Sequence, residues 1–314
     1  MVDLPLPATS DRLTRGLAPW HRHIRLLLAI AGVAALVGFV VAVVVSGPAS
    51  RPFALDGFGF DTRSYWGLRS PIYPGPGTDD GYGFYRYSPV FLPLMAMFAY
   101  LPWPVFAASW IVIQAAAFVW LAGDHRWQAL AFVPVLFELY LGNIHLLLAV
   151  AVVLGFRWPA TWTFVLLTKI TPGVGLLWFA VRREWRSLGI AVGATLAVTI
   201  VGVLVAPHAW TDWYQSLRVT GPATGTNQVA LPLPVRLLAG ALLVVWGART
   251  NRRWTVVVAA TLGLPTLWFH GLAMLMGVVA LHNGQPERTA RIVERMRERL
   301  GAAYGSARTG AFGS

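Results

Sequence analysis

The sequence predicts an all-α polytopic membrane protein, a transmembrane bundle of about ten helices with two external loops. Three observations carry that prediction. Of 314 residues, 56% are hydrophobic and 12% charged, where a soluble domain carries about 25% charged. Such an apolar excess does not fit inside a soluble core, because much of any fold must face water. The apolar residues also come in successive stretches, with most arginines gathered between them and in the tail. A soluble enzyme and a disordered chain are thereby excluded, and the absence of cysteine excludes a disulfide-stapled secreted module. The formal charge of +12 comes from arginine, since Lys169 is the one lysine.

The first span, 24–46, is uncharged after Arg25 and follows the basic run His21-Arg22-His23-Ile24-Arg25, which belongs in the cytoplasm. Its apolar core exceeds the roughly 7–15 residues of a cleavable signal, so an uncleaved anchor is expected behind a cytoplasmic segment 1–23. Further apolar stretches fall at 89–101, 104–121, 127–141, 144–155, 159–181, 188–205, 235–246, 254–264 and 268–281. Several are short for a full crossing and are broken at Pro102/Pro104, Gly142-Asn143 and Pro265. Interrupted helices are tolerated only inside protein or beside a wet cavity, so a cavity is expected. Alternating the spans puts both termini inside, together with 182–186, 249–253 and the tail, which collects 16 of the 24 arginines there. Within the tail, 284–314, the stretch 287–300 carries Ile292, Met296 and Leu300 beside five arginines; it reads as a basic amphipathic helix on anionic headgroups.

Two polar, aromatic segments then fall outside, at 47–88 and 207–234, and loops of this kind on one side of a scaffold are where function sits. Asp61 has two readings. A carboxylate among aromatics suits sugar recognition and general-base work; the same residue would equally cap a helix starting at Thr62. Asp79-Asp80, after Pro74-Gly75-Pro76-Gly77, reads as a turn. Lys169 lies mid-span, where a lone charge costs about 2.5–3.5 kcal/mol. Its partner is either Glu138 in an ion pair or the phosphate of a bound lipid, and the backbone opened by Pro172 favours the phosphate. Gly142-Asn143-Ile144-His145 reads as polar helix–helix contacts, because no further ligand stands at metal spacing. His270, in Trp268-Phe269-His270, is an interface residue or a phosphate donor. No P-loop, dinucleotide fingerprint, catalytic serine signature or zinc motif occurs, so no metal, cofactor or nucleic-acid partner is expected.

Six short motifs in order then become recognisable: Asp61-Thr62-Arg63-Ser64-Tyr65, Tyr87-Ser88-Pro89 with Leu101-Pro102, Gly142-Asn143, Lys169-Ile170-Thr171-Pro172, Asn227-Gln228 with Arg236, and Trp268-Phe269-His270. Over about residues 20–283 the chain resembles the polyprenol-phosphate-sugar-dependent glycosyltransferases of family 87, a GT-C-class group that includes actinobacterial α-1,2-mannosyltransferases. It departs from the pattern at Val229, where a serine is usual, and at Gly271, where a second histidine is frequent.

The resemblance implies a GT-C-like transmembrane domain over 24–283, a polyprenyl phosphate mannose donor and a glycolipid acceptor at the outer face of the plasma membrane. It implies a single inverting displacement with Asp61 as base and with Lys169, His270 and Arg236 on the donor phosphate. Tyr65, Trp66, Tyr87, Asn143, Asn227, Gln228 and Trp268 would bind substrate. The rival readings are a polyprenyl-phosphate arabinofuranosyltransferase and a lipid or solute transporter. The lack of an internal repeat, and polar residues concentrated on one side, speak against the transporter.

Overall fold

The computed structural model describes residues 10–46, 57–66, 72–73, 85–219 and 231–310, and every regular element among them is helical. Among the described residues, three helices are long and apolar enough to cross a membrane: His23–Val45 within α1 (Ser10–Ser46), Trp103–Ala129, formed by α4 (Trp103–Ala122) running on into the short α5 (Arg126–Ala129), and α10 (Trp185–Val205). They play different parts. Only 6% of the apolar window of α1 and of α10 is buried, against 44% for α4. Val40, Val44, Leu196 and Leu204 accordingly stand exposed, so each helix presents an apolar face that is stable against lipid and not against water. α4 is the internal post, burying Phe106, Trp110, Gln114, Phe118 and Leu121.

Two hairpins of short helices pack on α4, and a third, the second in chain order, packs on their far side. In the first, α6 (Val133–Leu141) and α7 (His145–Leu154) meet at 112°. Gly142 makes that turn at φ +71°, where a side chain would also collide with the Thr62 hydroxyl. In the second, α8 (Trp162–Thr168) ends at Lys169, which is extended at φ −141°, ψ 107°. A 3-10 turn with Pro172 near its start (Thr171–Leu176) and α9 (Leu177–Val181) then lead back. Gly173 lies against Leu166 and Gly175 against Trp162, so the return arm retraces the outgoing one and Lys169 sits at the tip. The third pairs α13 (Trp254–Leu262) with the 3-10 segment Phe269–Leu275 and α14 (Met276–His282). Here Gly271 lies against Leu264 and Gly277 against Val257.

The open ends of the hairpins gather at one end of the molecule. Asn283 donates to the Ala122 carbonyl at 3.0 Å. Arg253 pairs with Glu287 of α15 (Gln285–Gly310) at 2.9 Å and lies over Phe156. Arg182 reaches the Ala248 carbonyl and Asn251, Arg288 approaches Asp124 at 3.6 Å, and Gln128 donates to the Arg25 carbonyl. These contacts correct the expected ten alternating crossings, which would set 122–126 on the face opposite the tail. The reason is length. Arms of 7–14 residues reach about 10–25 Å, short of the roughly 30 Å hydrocarbon core, so each turns back within the protein, where its freed backbone groups find partners. Arg126 and Arg157 thereby join the basic end.

Candidate active site

At the opposite end the hairpin tips meet the segment 57–66. Gly59 N–H donates to the Tyr140 carbonyl at 2.9 Å and Asp61 N–H to the Leu141 carbonyl at 3.0 Å. The Thr62 hydroxyl donates to the Gly142 carbonyl. α4 braces the same tip: Trp110 Nε1 donates to the Gly142 carbonyl at 2.7 Å, and the Gln114 amide donates to the Asn143 carbonyl. The last carbonyls of α6, which lack partners within the helix, therefore become the strap that holds Asp61. Asn143 Nδ2 donates to Asp61 Oδ2 at 2.9 Å, and His270 Nε2 stands 3.6 Å from the same oxygen. Burial pushes the Asp61 carboxyl up from 3.8 to about 6, against the downward pull of the Asn143 hydrogen bond. Among the described residues, Nε2 of His270 has no hydrogen-bond partner although it is buried.

Beside this group runs a second chain of contacts. Lys169 Nζ lies 2.8 Å from His145 Nε2. His145 Nδ1 lies 2.9 Å from Glu138 Oε2, and the His145 backbone N–H donates to Glu138 Oε1 at 2.6 Å. Glu138 and His145 are fully buried, and the His145 and His270 rings are 5.4 Å apart. Lys169 and Glu138 are thus linked, as one of the two readings held, but through an imidazole. Glu138, His145 and His270 also bring one possible metal-ligand atom each within 4.8 Å of one another. By spacing they could hold a metal ion. The Lys169 ammonium already supplies a cation there, and the Nε2 lone pair of His145 serves one partner at a time.

The remaining sequence candidates divide. Tyr65 and Tyr87 share a hydroxyl–hydroxyl contact of 3.0 Å, and the Tyr65 ring packs on Trp110. Both sit behind the Asp61 strap. Trp268 is half-buried at the head of the turn that carries His270. Trp66 donates its Nε1 to the Leu101 carbonyl at 2.7 Å and packs its ring on Trp103, contacts that lock the approach to α4. Arg236 requires a correction. It is 4% exposed, and its guanidinium donates to the carbonyls of Leu231, Leu262, Leu264 and Pro265. Arginine has five donors and no acceptor, and four of them are spent here clamping the broken end of α13. Arg236→Met is expected to cost about 3 kcal/mol of stability, seen as a lower melting temperature in detergent, with donor KM unchanged in the protein that stays folded. Asn227, Gln228, Asp56, Asp79 and Asp80 lie outside the described residues.

Sequence reasoning missed the braces Trp110 and Gln114 and the linking role of His145. A signal existed for the braces: they are one helical turn apart in an apolar span, where a buried amide is costly unless it is used.

No curated protein and no solved structure matches the chain. The model of glycosyltransferase family 87 matches residues 84–293, which include Asn143, Glu138, His145, Lys169 and His270 and begin after Asp61. A match over two thirds of the chain, on a helical scaffold with membrane-crossing segments, identifies the membrane protein: it belongs to glycosyltransferase family 87.

Proposed function

We propose that this glycosyltransferase moves mannose from a polyprenyl phosphate to a glycolipid acceptor at the outer face of the plasma membrane. One observation carries the reading. A carboxylate, an unpartnered imidazole and an ammonium, from Asp61, His270 and Lys169, converge at the hairpin tips. The two groups suited to a phosphate are flanked by exposed apolar side chains, Ile170 at 70% and Phe269 at 39% exposure. That pairing fits a ligand whose charged head hangs from an apolar chain.

In the reaction, the acceptor hydroxyl oxygen bonds to the anomeric carbon as its proton passes to Asp61. The bond from that carbon to the phosphate oxygen breaks, and polyprenyl phosphate leaves with the electron pair. Lys169 and His270 stabilise the charge gathering on the phosphate. The departing group is already a weak base, so no general acid is needed. One displacement inverts the anomeric centre. The basic end carries most of the arginines and would face the cytoplasm with both termini, α15 lying on headgroups through Ile292, Met296 and Leu300.

The test is transfer in nanodiscs from labelled polyprenyl phosphate mannose to membrane glycolipids, run beside the arabinofuranosyl and nucleotide-sugar donors. Label is expected from the mannosyl lipid. Transfer from the arabinosyl lipid alone would reassign the sugar, and transfer from the nucleotide sugar alone would overturn the lipid donor.

A further inference from the structure

We infer that His145 is a positioning residue for this reaction: it holds the Lys169 ammonium on the donor phosphate, and Glu138 sets the imidazole for that task. The inference rests on the reading of Lys169 as a phosphate partner.

Direction follows from donor chemistry. Lysine's ammonium only donates, so at 2.8 Å from Lys169 Nζ the Nε2 atom of His145 must present its lone pair. The hydrogen of a neutral ring is then on Nδ1, the atom that meets Glu138 Oε2. Glu138 takes the His145 backbone N–H on its other oxygen, so one residue occupies both carboxylate oxygens and the ring has a single orientation. A carboxylate behind the Nδ1 hydrogen makes Nε2 more basic, as it does for histidines that ligate metals.

Inserting the ring has a consequence that a direct Glu138–Lys169 pair would lack. A carboxylate in contact would neutralise the ammonium and turn it inward. An uncharged imidazole instead fixes the end of a flexible four-carbon stem with one bond and leaves two ammonium hydrogens for a ligand. It also keeps Lys169 at the tip beside His270, whose ring is 5.4 Å from that of His145.

Two amide substitutions separate this role from simple packing. A glutamine amide reaches the position of Nε2 and still offers Lys169 an acceptor. An asparagine amide reaches only the position of Nδ1, keeping Glu138 company and abandoning Lys169. The full-length protein in nanodiscs is titrated with farnesyl phosphate and assayed with the sugar donor. Because the chain has one lysine, ¹³Cε-lysine labelling gives one side-chain resonance that reports Lys169 directly. For His145→Asn, farnesyl phosphate affinity is expected to fall and donor KM to rise by about tenfold. As Lys169 also meets the charge gathering on the departing phosphate, kcat should fall several-fold as well, and the lysine resonance should move. His145→Gln is expected to hold affinity within about threefold of wild type. Glu138→Gln, which offers one acceptor to two N–H groups, should follow His145→Asn.

If Lys169→Met abolishes farnesyl phosphate binding while His145→Asn leaves affinity and resonance unchanged, the positioning role is overturned and the proposed function stands. Equal losses in the Asn and Gln variants overturn it as well. Unchanged binding by Lys169→Met removes the phosphate reading and this inference with it.

Discussion

Asp61→Asn is expected to lower turnover by about 10³-fold or more while the donor still binds and the protein melts at a higher temperature. General-base assistance is worth roughly 10²–10⁴-fold, and the other carboxylate near His270, that of Glu138, already accepts from His145 on both oxygens. An asparagine keeps the oxygen that Asn143 needs, so the tip should survive. The gain in stability has a definite sign. The folded carboxyl is raised to about 6 from 3.8, so the folded state holds the proton more firmly than the unfolded chain. Stability from this group is full below about pH 4 and is lost as pH rises through 6. At neutral pH the ionised form is strained, and the amide relieves it. Activity runs the other way, because only the ionised carboxylate accepts a proton: kcat/KM should climb through about pH 6 and then level. A variant that keeps its turnover, or that melts lower, would remove Asp61 from the chemistry.

Lys169→Met should weaken donor binding by about 10²-fold or more, the scale seen when one partner of a desolvated charge pair is removed. Methionine preserves the length and apolar stem, so the loss isolates the charge. Equilibrium binding of the lipid phosphate measures it, with the melting temperature as control. Were the ammonium only a structural companion to Glu138 and His145, the variant would melt lower and bind the donor normally, and that pairing of results would sink the phosphate role.

The helical, membrane-embedded class was legible from composition, and the breaks were legible as Gly142, Pro172 and Pro265. What the breaks do was not. A linear sequence shows that 144–155 is short, but whether a short helix crosses or turns back depends on which residues it meets. Those partners, Gly173 against Leu166 and Gly271 against Leu264, are readable only in three dimensions. The site followed the same division. Asp61, Lys169 and His270 stand out because a charge or an imidazole is conspicuous among apolar or aromatic neighbours. Arg236 entered through the family resemblance and is a clamp, since its place after Asn227-Gln228 says nothing about the four carbonyls it caps. His145 was legible as polar, but its role depends on Glu138 lying across the Gly142 turn.

Hairpins that enter and leave by the same end also set the order of assembly during synthesis. The arms are too short to be held in the bilayer one by one, so each waits for its neighbours before it is retained. His270 belongs to the last of them, and a nascent chain stopped ahead of it would carry the carboxylate and the ammonium without their imidazole. On the proposed reading such a fragment would lack the imidazole that meets the donor phosphate, so sugar transfer would await the last hairpin.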